Sequence, residues 1–322
     1  MDLVFDNPPF LLQGDCGFPA IPNQYLAAVA KDHESRETVR CYAYAIKRWL
    51  EWCEKRALDW KTASPERALD FRDEIRRSGA SPGTVNYAVD RLADFYAFAA
   101  VKGERCPIAR FLWPKNLLRV PRGQDANPIV LVSEEDGGRY IRGFQNRRNR
   151  LAALAMYFCG LRRGETLGLT KDALAAPLES DGAVRVRVIG KGNKVRAVAM
   201  SADLRDALAE FSKDSTGGLV FSRDGRPLNP STIEKAFAAN RECTGVRIHC
   251  HLLRHQYATF RLPMLERELG GGRGLNSALE TLRLELGHKH ISTTSIYVHL
   301  ANTRAAAPSL VRWQREKVGG LL

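Results

Sequence analysis

The 322-residue chain has no apolar run near the ~20 residues that a bilayer-spanning helix needs, so no transmembrane segment is expected. Its first twenty residues carry Asp2, Asp6 and Asp15 and lack the basic start of a secretory leader, which argues against export. The seven cysteines, at 16, 41, 53, 106, 159, 243 and 250, are odd in number and form no Cys-x-x-Cys pair. That leaves no disulfide framework and fits reduced, mostly buried thiols in the cytoplasm. No internal repeat or low-complexity run occurs. Gly190-Lys191-Gly192 is a weak signal and makes no complete phosphate-binding loop. The chain is also short of negative charge. Lys and Arg number 49 against 36 Asp and Glu, a net +13 with a pI near 9.6. An excess of that size favours a polyanionic partner, nucleic acid first and an acidic membrane surface second.

What is present suffices for two cores. Residues 1–21 hold Pro8, Pro9, Gly14, Gly17 and Pro19 and are expected to be an irregular arm. Residues 22–106 predict an all-helical unit, starting with a short helix at about 23–32. Ser35 precedes a run in which Val39, Tyr42, Ala43, Ile46, Trp49, Leu50 and Cys53 recur at three- and four-residue steps, the mark of one apolar helix face. Arg36, Arg40 and Lys47 share another face. Two readings of that stripe stand: ordinary solvated surface, or a helix laid along phosphates. Ser64-Pro65 and Ser81-Pro82 each predict a helix start, with Gly79 and Gly103 as the stops.

Between 107 and 129, Pro107, Pro114, Pro121 and Pro128 forbid a long helix and alternate with Lys115, Arg119 and Arg122. The stretch is a basic linker, read either as a plain connector or as a strap on a DNA backbone. A second domain is expected over 130–300, followed by a C-terminal segment at 301–322. In it, Val184, Val186 and Val188 alternate with arginines, and a second alternating run covers Val195 to Met200. Gly190 to Lys194 joins them as a hairpin turn that projects a lysine beyond the sheet. The fold class expected is mainly α, with an α+β second domain built on a small antiparallel sheet.

The chemistry gathers between His251 and Tyr297. His251 and His255 are four apart, a spacing that would suit two metal ligands on a helix, with Cys243, His249 and Cys250 nearby. The glutamate of a His-Glu-x-x-His site is missing, and Arg254 puts a cation inside the cluster, which disfavours zinc. An arginine three residues from His251 makes sense if both address one anion, the guanidinium supplying a planar fork and the imidazole a proton near neutral pH.

In order along the chain come Gly160-Leu161-Arg162 with Glu165, then Gly190-Lys191-Gly192-Asn193-Lys194, His251-x-x-Arg254-His255, Leu286-Gly287-His288, and Thr294-x-Ile296-Tyr297-x-His299. In these motifs and their order the sequence resembles the tyrosine recombinases, which include phage integrases and Xer-like resolvases. Residues 22–106 look like the core-binding domain of that family, and 130–300 like its catalytic domain. The resemblance implies that Tyr297 attacks a DNA phosphodiester to give a 3′-phosphotyrosyl bond and a free 5′-hydroxyl, with no cofactor and no metal. It implies that Arg162 and Arg254 clamp the non-bridging oxygens. Lys191 would protonate the leaving 5′ oxygen, His251 would assist proton transfer at Tyr297, and His288 would donate to the phosphate. Glu165 would orient these cations from behind. Lys194 stands as an alternative to Lys191, and Arg163 to Arg162. His255 and His299 fit motif positions and are read as structural.

The resemblance further implies double-stranded DNA recombination sites as partners, accessory DNA-bending proteins, and a homo-tetramer joined through the segment beyond Tyr297. The other reading of that segment is a helix folded back on its own domain. A type IB topoisomerase, a telomere resolvase, or a DNA-binding homologue without catalysis are the alternative functions. In one respect the chain departs from the family. Arg254 and His288 are separated by 33 residues, including Pro263 and Gly270-Gly271-Gly272, and this stretch is expected to be a looped insertion.

Overall fold

A computed structural model describes residues 2–4, 11–13, 20–33, 36–108, 118–121, 131–190, 192–269, 274–301 and 309–322, with backbone alone for 2–4, 11–13, 274 and 299–301. The chain divides into two compact units, Met1–Pro128 and Ile129–Leu322.

The first unit opens with an antiparallel pair, β1 (Asp2–Val4) and β2 (Leu11–Gln13), in register Asp2↔Gln13. The arm is therefore not wholly irregular. A two-stranded ribbon is marginal by itself, and this one lies against helix α2 (Arg36–Glu54). Around α2 pack α1 (Ala20–Asp32), α3 (Pro65–Arg77) and α4 (Pro82–Val101). The face expected of α2 is the one buried: Val39, Ala43, Ile46, Trp49, Leu50 and Cys53 enter the core, and Tyr42 stays half-buried. Trp49 donates to the Tyr96 hydroxyl at 3.1 Å, which donates to the Trp60 carbonyl at 2.6 Å, so these two ring polar groups are satisfied, whereas the buried Tyr25 hydroxyl of the same core has no partner among the described residues. Both Ser-Pro starts hold, and at Ser81 the hydroxyl accepts from the Thr84 N–H at 3.2 Å.

The linker is partly absorbed into this unit. Ile108 and Leu118 are buried in the helical core, and Asn86 of α4 exchanges two hydrogen bonds with the Val120 backbone. Arg119 pairs with Asp90 of α4, its Nε 3.0 Å from the carboxylate, so it faces a helix of its own unit. Lys115 and Arg122 lie outside the described residues.

The second unit is organised around α6 (Arg147–Cys159), in which every residue from Leu151 to Cys159 is buried. A helix apolar on all sides must be surrounded. It follows α5 (Glu134–Arg142) and leads to the short helices α7 (Arg163–Leu167) and α8 (Lys171–Leu174). The hairpin is β3 (Ala183–Ile189) against β4 (Val195–Ser201), antiparallel from Ala183↔Ser201 to Ile189↔Val195. Val184, Val186 and Val188 face the core, as their alternation predicts. There follow α9 (Ala202–Ser212), a small ribbon of β5 (Ser222–Arg223) with β6 (Arg226–Pro227), and α10 (Pro230–Thr244). The last helices are α11 (Cys250–Glu268), α12 (Gly274–Leu286), α13 (Ser292–Ala301) and α14 (Leu310–Val318).

One expectation needs correcting here. Most of the stretch between Arg254 and His288 is helix rather than loop: α11 runs through Pro263 to Glu268, and α12 begins at Gly274, while Gly270-Gly271-Gly272 lie outside the described residues. A proline inside a helix costs about 3 kcal/mol. Burial of Tyr257, Phe260, Leu262, Met264 and Leu265 offsets it, and Arg261 bonds to both Glu268 and Glu285, tying α11 to α12. The described end of the C-terminal segment does not project outward. Helix α14 buries Trp313 among Tyr157, Phe158 and Phe260 of its own domain, and Gln314 donates to the Phe158 carbonyl at 2.7 Å. An indole enclosed by three aromatic rings holds that helix in place.

Gly160 closes α6 with φ +63, and a Cβ there would sit 2.4 Å from Cδ1 of Tyr257. Gly160→Ala is expected to destabilise the protein by about 2 kcal/mol or more, from the left-handed backbone and the clash together. A urea midpoint within error of wild type would contradict this packing.

Candidate active site

Three arginines from three parts of the chain meet one carboxylate. Arg162 caps α7, Arg196 lies on β4 and Arg254 on α11. Glu165, 5% exposed, receives Arg162 Nη1 at 2.9 Å on Oε1 and both Arg196 Nη atoms at 2.8 Å, one on each oxygen. Arg254 Nη1 stands 3.6 Å from Oε2. The Arg162 backbone N–H also donates to Glu165, at 2.7 Å, so the carboxylate is fixed from below as well.

The same three guanidiniums reach three successive carbonyls at the end of α12. Arg196 Nε donates to Glu285 O at 2.7 Å, Arg254 Nη2 to Leu286 O, and Arg162 Nη2 to Gly287 O at 3.2 Å. These carbonyls are among those a helix C-terminus leaves without an intrahelical partner, and they carry the negative end of its dipole. The arginines are thus held between a buried carboxylate and a helix end. Arg254, fully buried, gives its remaining Nη1 bond to Gly160 O at 2.6 Å. The glycines of Gly-Leu-Arg and Leu-Gly-His earn their place here: Gly160 and Gly287 both take positive φ and both offer their carbonyls to an arginine.

Three cations against one carboxylate leave an excess of positive charge for an incoming anion. Burial alone would raise the Glu165 carboxyl, but Arg196 and Arg162 hold it down at about 2. Burial, with Arg162 beside it, draws Arg254 down to about 9 against the pull of Glu165, so it stays charged at neutral pH.

Tyr297, on α13, is 1% exposed and joins the same cluster. Its hydroxyl is 2.8 Å from Nδ1 of His255, a half-buried residue of α11. Burial pushes the phenol up to about 12, with Arg254 and Arg162 opposing. His288 lies near-parallel to the Tyr297 ring at 6.5 Å, its Nδ1 fixed by the Thr294 hydroxyl at 3.0 Å. His255 and His288 are each pulled to about 4, by burial first and neighbouring positive groups second, so both are neutral at pH 7. His251 is more open. It lines a cavity of about 720 Å³ with Arg162, Arg254, Arg163, Lys235 and Arg241, and its ring meets His255 edge-on at 4.3 Å. His249, once a zinc candidate, spends Nδ1 on the N-terminus of α11, accepting from Leu252 N at 3.2 Å.

Of the residues expected at the site, Arg162, Glu165, His251, Arg254, His288 and Tyr297 come together. Lys191 lies outside the described residues, yet its neighbour Gly190 is so close to the cluster that a Cβ would be 3.2 Å from Glu165 Oε1. A second cleft holds Gly190, Lys194, Arg196, Gly287, His288 and Lys289. His299 has no described side chain. Arg163 instead pairs with Glu234 of α10. Sequence reasoning missed Arg196 and set His255 aside. A basic residue one position into the second strand, beside the lysine turn, was the only signal for Arg196.

Arg196 joins the root of the lysine hairpin to the arginine pair. Arg196→Ala is expected to slow single-turnover DNA cleavage by roughly 10- to 100-fold, the range for a group that orients the reacting ones. DNA affinity should change far less. Equal losses in affinity and rate would contradict a positioning role.

Known proteins resemble the chain over both of its units. Residues 139–304 match the phage integrase family, and residues 23–103 match the N-terminal SAM-like domain of phage integrases. The tyrosine recombinase XerC of Azotobacter vinelandii is 29% identical over 286 residues, covering 85% of this chain and 88% of the relative. That of Pseudomonas fluorescens is 26% identical over 276 residues, covering 83% and 86%. Among solved structures, the XerH recombinase bound to a palindromic difH substrate after cleavage superposes with a TM-score of 0.63 at 21% identity, over 83% of this chain and 77% of that one. A lambda integrase tetramer bound to a Holliday junction gives 0.60 at 15% identity, over 85% and 77%. Since the integrase match alone spans more than half of its length, the chain belongs to the phage integrase family of tyrosine recombinases.

Proposed function

We propose that this enzyme performs site-specific strand exchange on duplex DNA through a 3′-phosphotyrosyl intermediate on Tyr297. The observation that carries the reading is a phenolic hydroxyl and two neutral imidazoles set beside three guanidiniums that are held on one buried carboxylate. A phosphodiester entering the cavity beside Arg162 and Arg254 places its non-bridging oxygens against fixed cations, which oppose the charge that grows on them in the transition state. Tyr297 Oη attacks phosphorus, the P–O5′ bond breaks, and the 5′ oxygen takes a proton from Lys191 on the hairpin. His288 donates from its free ring nitrogen to the phosphate. Rejoining runs the same steps backwards, with the bond energy kept in the phosphotyrosine, so no nucleotide is consumed.

DNA would be held on the basic walls of the two clefts, Lys235 and Arg241 on one side and Lys194 and Lys289 on the other. In the helical unit, the α2 stripe of Arg36, Arg40 and Lys47 is the proposed backbone contact, with Lys115, Arg119 and Arg122 following it. Arg40 and Lys47 now face Glu37 and Glu51, and Arg119 faces Asp90, and phosphates would compete for all three. Exchange between two sites needs four protomers. Contact through residues 301–322 would require α14 to leave its seat on its own domain, or residues before it to make the bridge. Accessory bending proteins would assist, and the reaction would take place in the cytoplasm, where the chromosome lies. No described helix is long and apolar enough to cross a membrane.

A suicide DNA substrate, nicked near the scissile phosphate so that the 5′-hydroxyl fragment diffuses away, tests the reading. The protein should accumulate as a covalent DNA adduct, equally with and without a chelator. Loss of the adduct with chelator would point to a metal nuclease, and no adduct on any substrate to a binding protein. Relaxation of supercoiled DNA without a special site would point to a topoisomerase.

A further inference from the structure

The group in contact with the nucleophile is not the histidine that the motif suggests. His255 Nδ1 is 2.8 Å from the Tyr297 hydroxyl, while His251, one turn earlier on α11, faces the cavity with Arg162 and Arg254. The two imidazoles touch edge to face. Their surroundings divide the work: His251 stands where a phosphate enters, and His255 stands behind the phenol. We propose that His255, rather than His251, takes the phenolic proton as Tyr297 attacks and returns it on rejoining. This rests on the strand-exchange reading above.

The step balances. Tyr297 Oη forms its bond to phosphorus, the P–O5′ bond breaks with its electron pair leaving on the 5′ oxygen, and the phenolic proton moves to Nδ1 of His255. The leaving oxygen receives its own proton separately. For Nδ1 to accept, the ring must be neutral with its proton on Nε2. Burial, with His251, His249, Arg254 and His288 around it, keeps His255 neutral, at about 4. So weak a base does not strip a resting phenol. As the O–P bond forms, however, the phenolic oxygen becomes a far stronger acid, and an acceptor already in hydrogen-bond contact suffices. The acceptor is also well fixed, since the Thr259 hydroxyl donates to the His255 carbonyl at 2.9 Å and the flanking Leu253, Arg254, Gln256 and Tyr257 are all buried.

The test uses the full chain and the suicide substrate under single turnover. One set of substrates has the natural 5′ bridging oxygen and the other has sulfur, a leaving group that needs no acid. His255→Asn keeps an acceptor near Nδ1 but cannot hold the proton. It should cleave more slowly than wild type by on the order of 100- to 1,000-fold, the usual contribution of a general base. DNA affinity should stay within about threefold, because this role adds nothing to ground-state binding. Sulfur should not restore the rate, whereas it should restore Lys191→Ala. His251→Asn should cleave faster than His255→Asn. Nitrogen-15 NMR of the wild-type histidines adds a measurement independent of any variant: His255 should carry its proton on Nε2. A His255→Asn rate within about fivefold of wild type would overturn the proposal. So would rescue by sulfur, faster cleavage than wild type, or a proton on Nδ1 in the resting protein. If Tyr297→Phe still formed the adduct, the strand-exchange reading itself would fall, a different result from any of these.

Discussion

Tyr297→Phe is expected to abolish the covalent DNA adduct while leaving the fold and the DNA affinity almost untouched. The substitution removes one oxygen from a ring that is 1% exposed and packed in the catalytic core, so the apolar seat is refilled by the same six carbons. The structural cost is the hydrogen bond to His255, about 1 kcal/mol. The catalytic cost is of another order. In the proposed mechanism every other group in the cluster stabilises charge or moves a proton, and none can replace the oxygen that forms the bond to phosphorus. Removing an enzyme's nucleophile costs on the order of 10⁶ in rate. On a denaturing gel the wild type should shift the labelled strand and the variant should not, while both retard the same DNA under native conditions. An adduct formed by the phenylalanine variant would mean that another side chain attacks.

Glu165→Gln should cost both stability and activity, and its stability cost should vanish in acid. Three guanidiniums share this carboxylate, and glutamine would leave them with no counter-charge. Breaking a buried ion pair by removing one partner costs about 3–5 kcal/mol. The pH dependence follows from the folded value near 2, set by burial pushing up and Arg196 and Arg162 pulling down harder. An unfolded glutamate titrates near 4.3. The folded value is the lower one, so the stabilisation is complete above about pH 4.5 and drains away as pH falls towards 2. A gap of that size is worth about 3 kcal/mol. Urea unfolding at pH 7 should separate wild type from Glu165→Gln by a few kcal/mol, and at pH 3 the two should draw together. Equal stability at pH 7 would mean that the arginines do not depend on this carboxylate. With the arginines loosened, cleavage should fall by about 100-fold, at the upper end for residues that orient reacting groups.

The sequence by itself determined the family the chain belongs to and most of the stretches that fold as helices or strands. Apolar residues at three- and four-residue steps fix the buried face of α2, and alternation fixes that of β3, because both periods are properties of the local backbone. The motif residues Arg162, Glu165, Arg254, His288 and Tyr297 were legible through the resemblance of their runs, in type and in order, to those of the tyrosine recombinases. Tertiary structure decided the rest. Pro263 reads as a helix breaker until the burial around it is known. The sequence of α14 suits a neighbour's surface or its own domain equally well, and only the aromatic seat of Trp313 shows that in the single chain it rests on its own domain. His251 and His255 sit one turn apart with the same chemistry, and which one reaches the phenol depends on how α13 crosses α11. Arg196 looks like any outward strand residue until the end of α12 and Glu165 are brought to it. Partners separated by tens to more than a hundred residues are chosen by packing, and no local pattern encodes that choice.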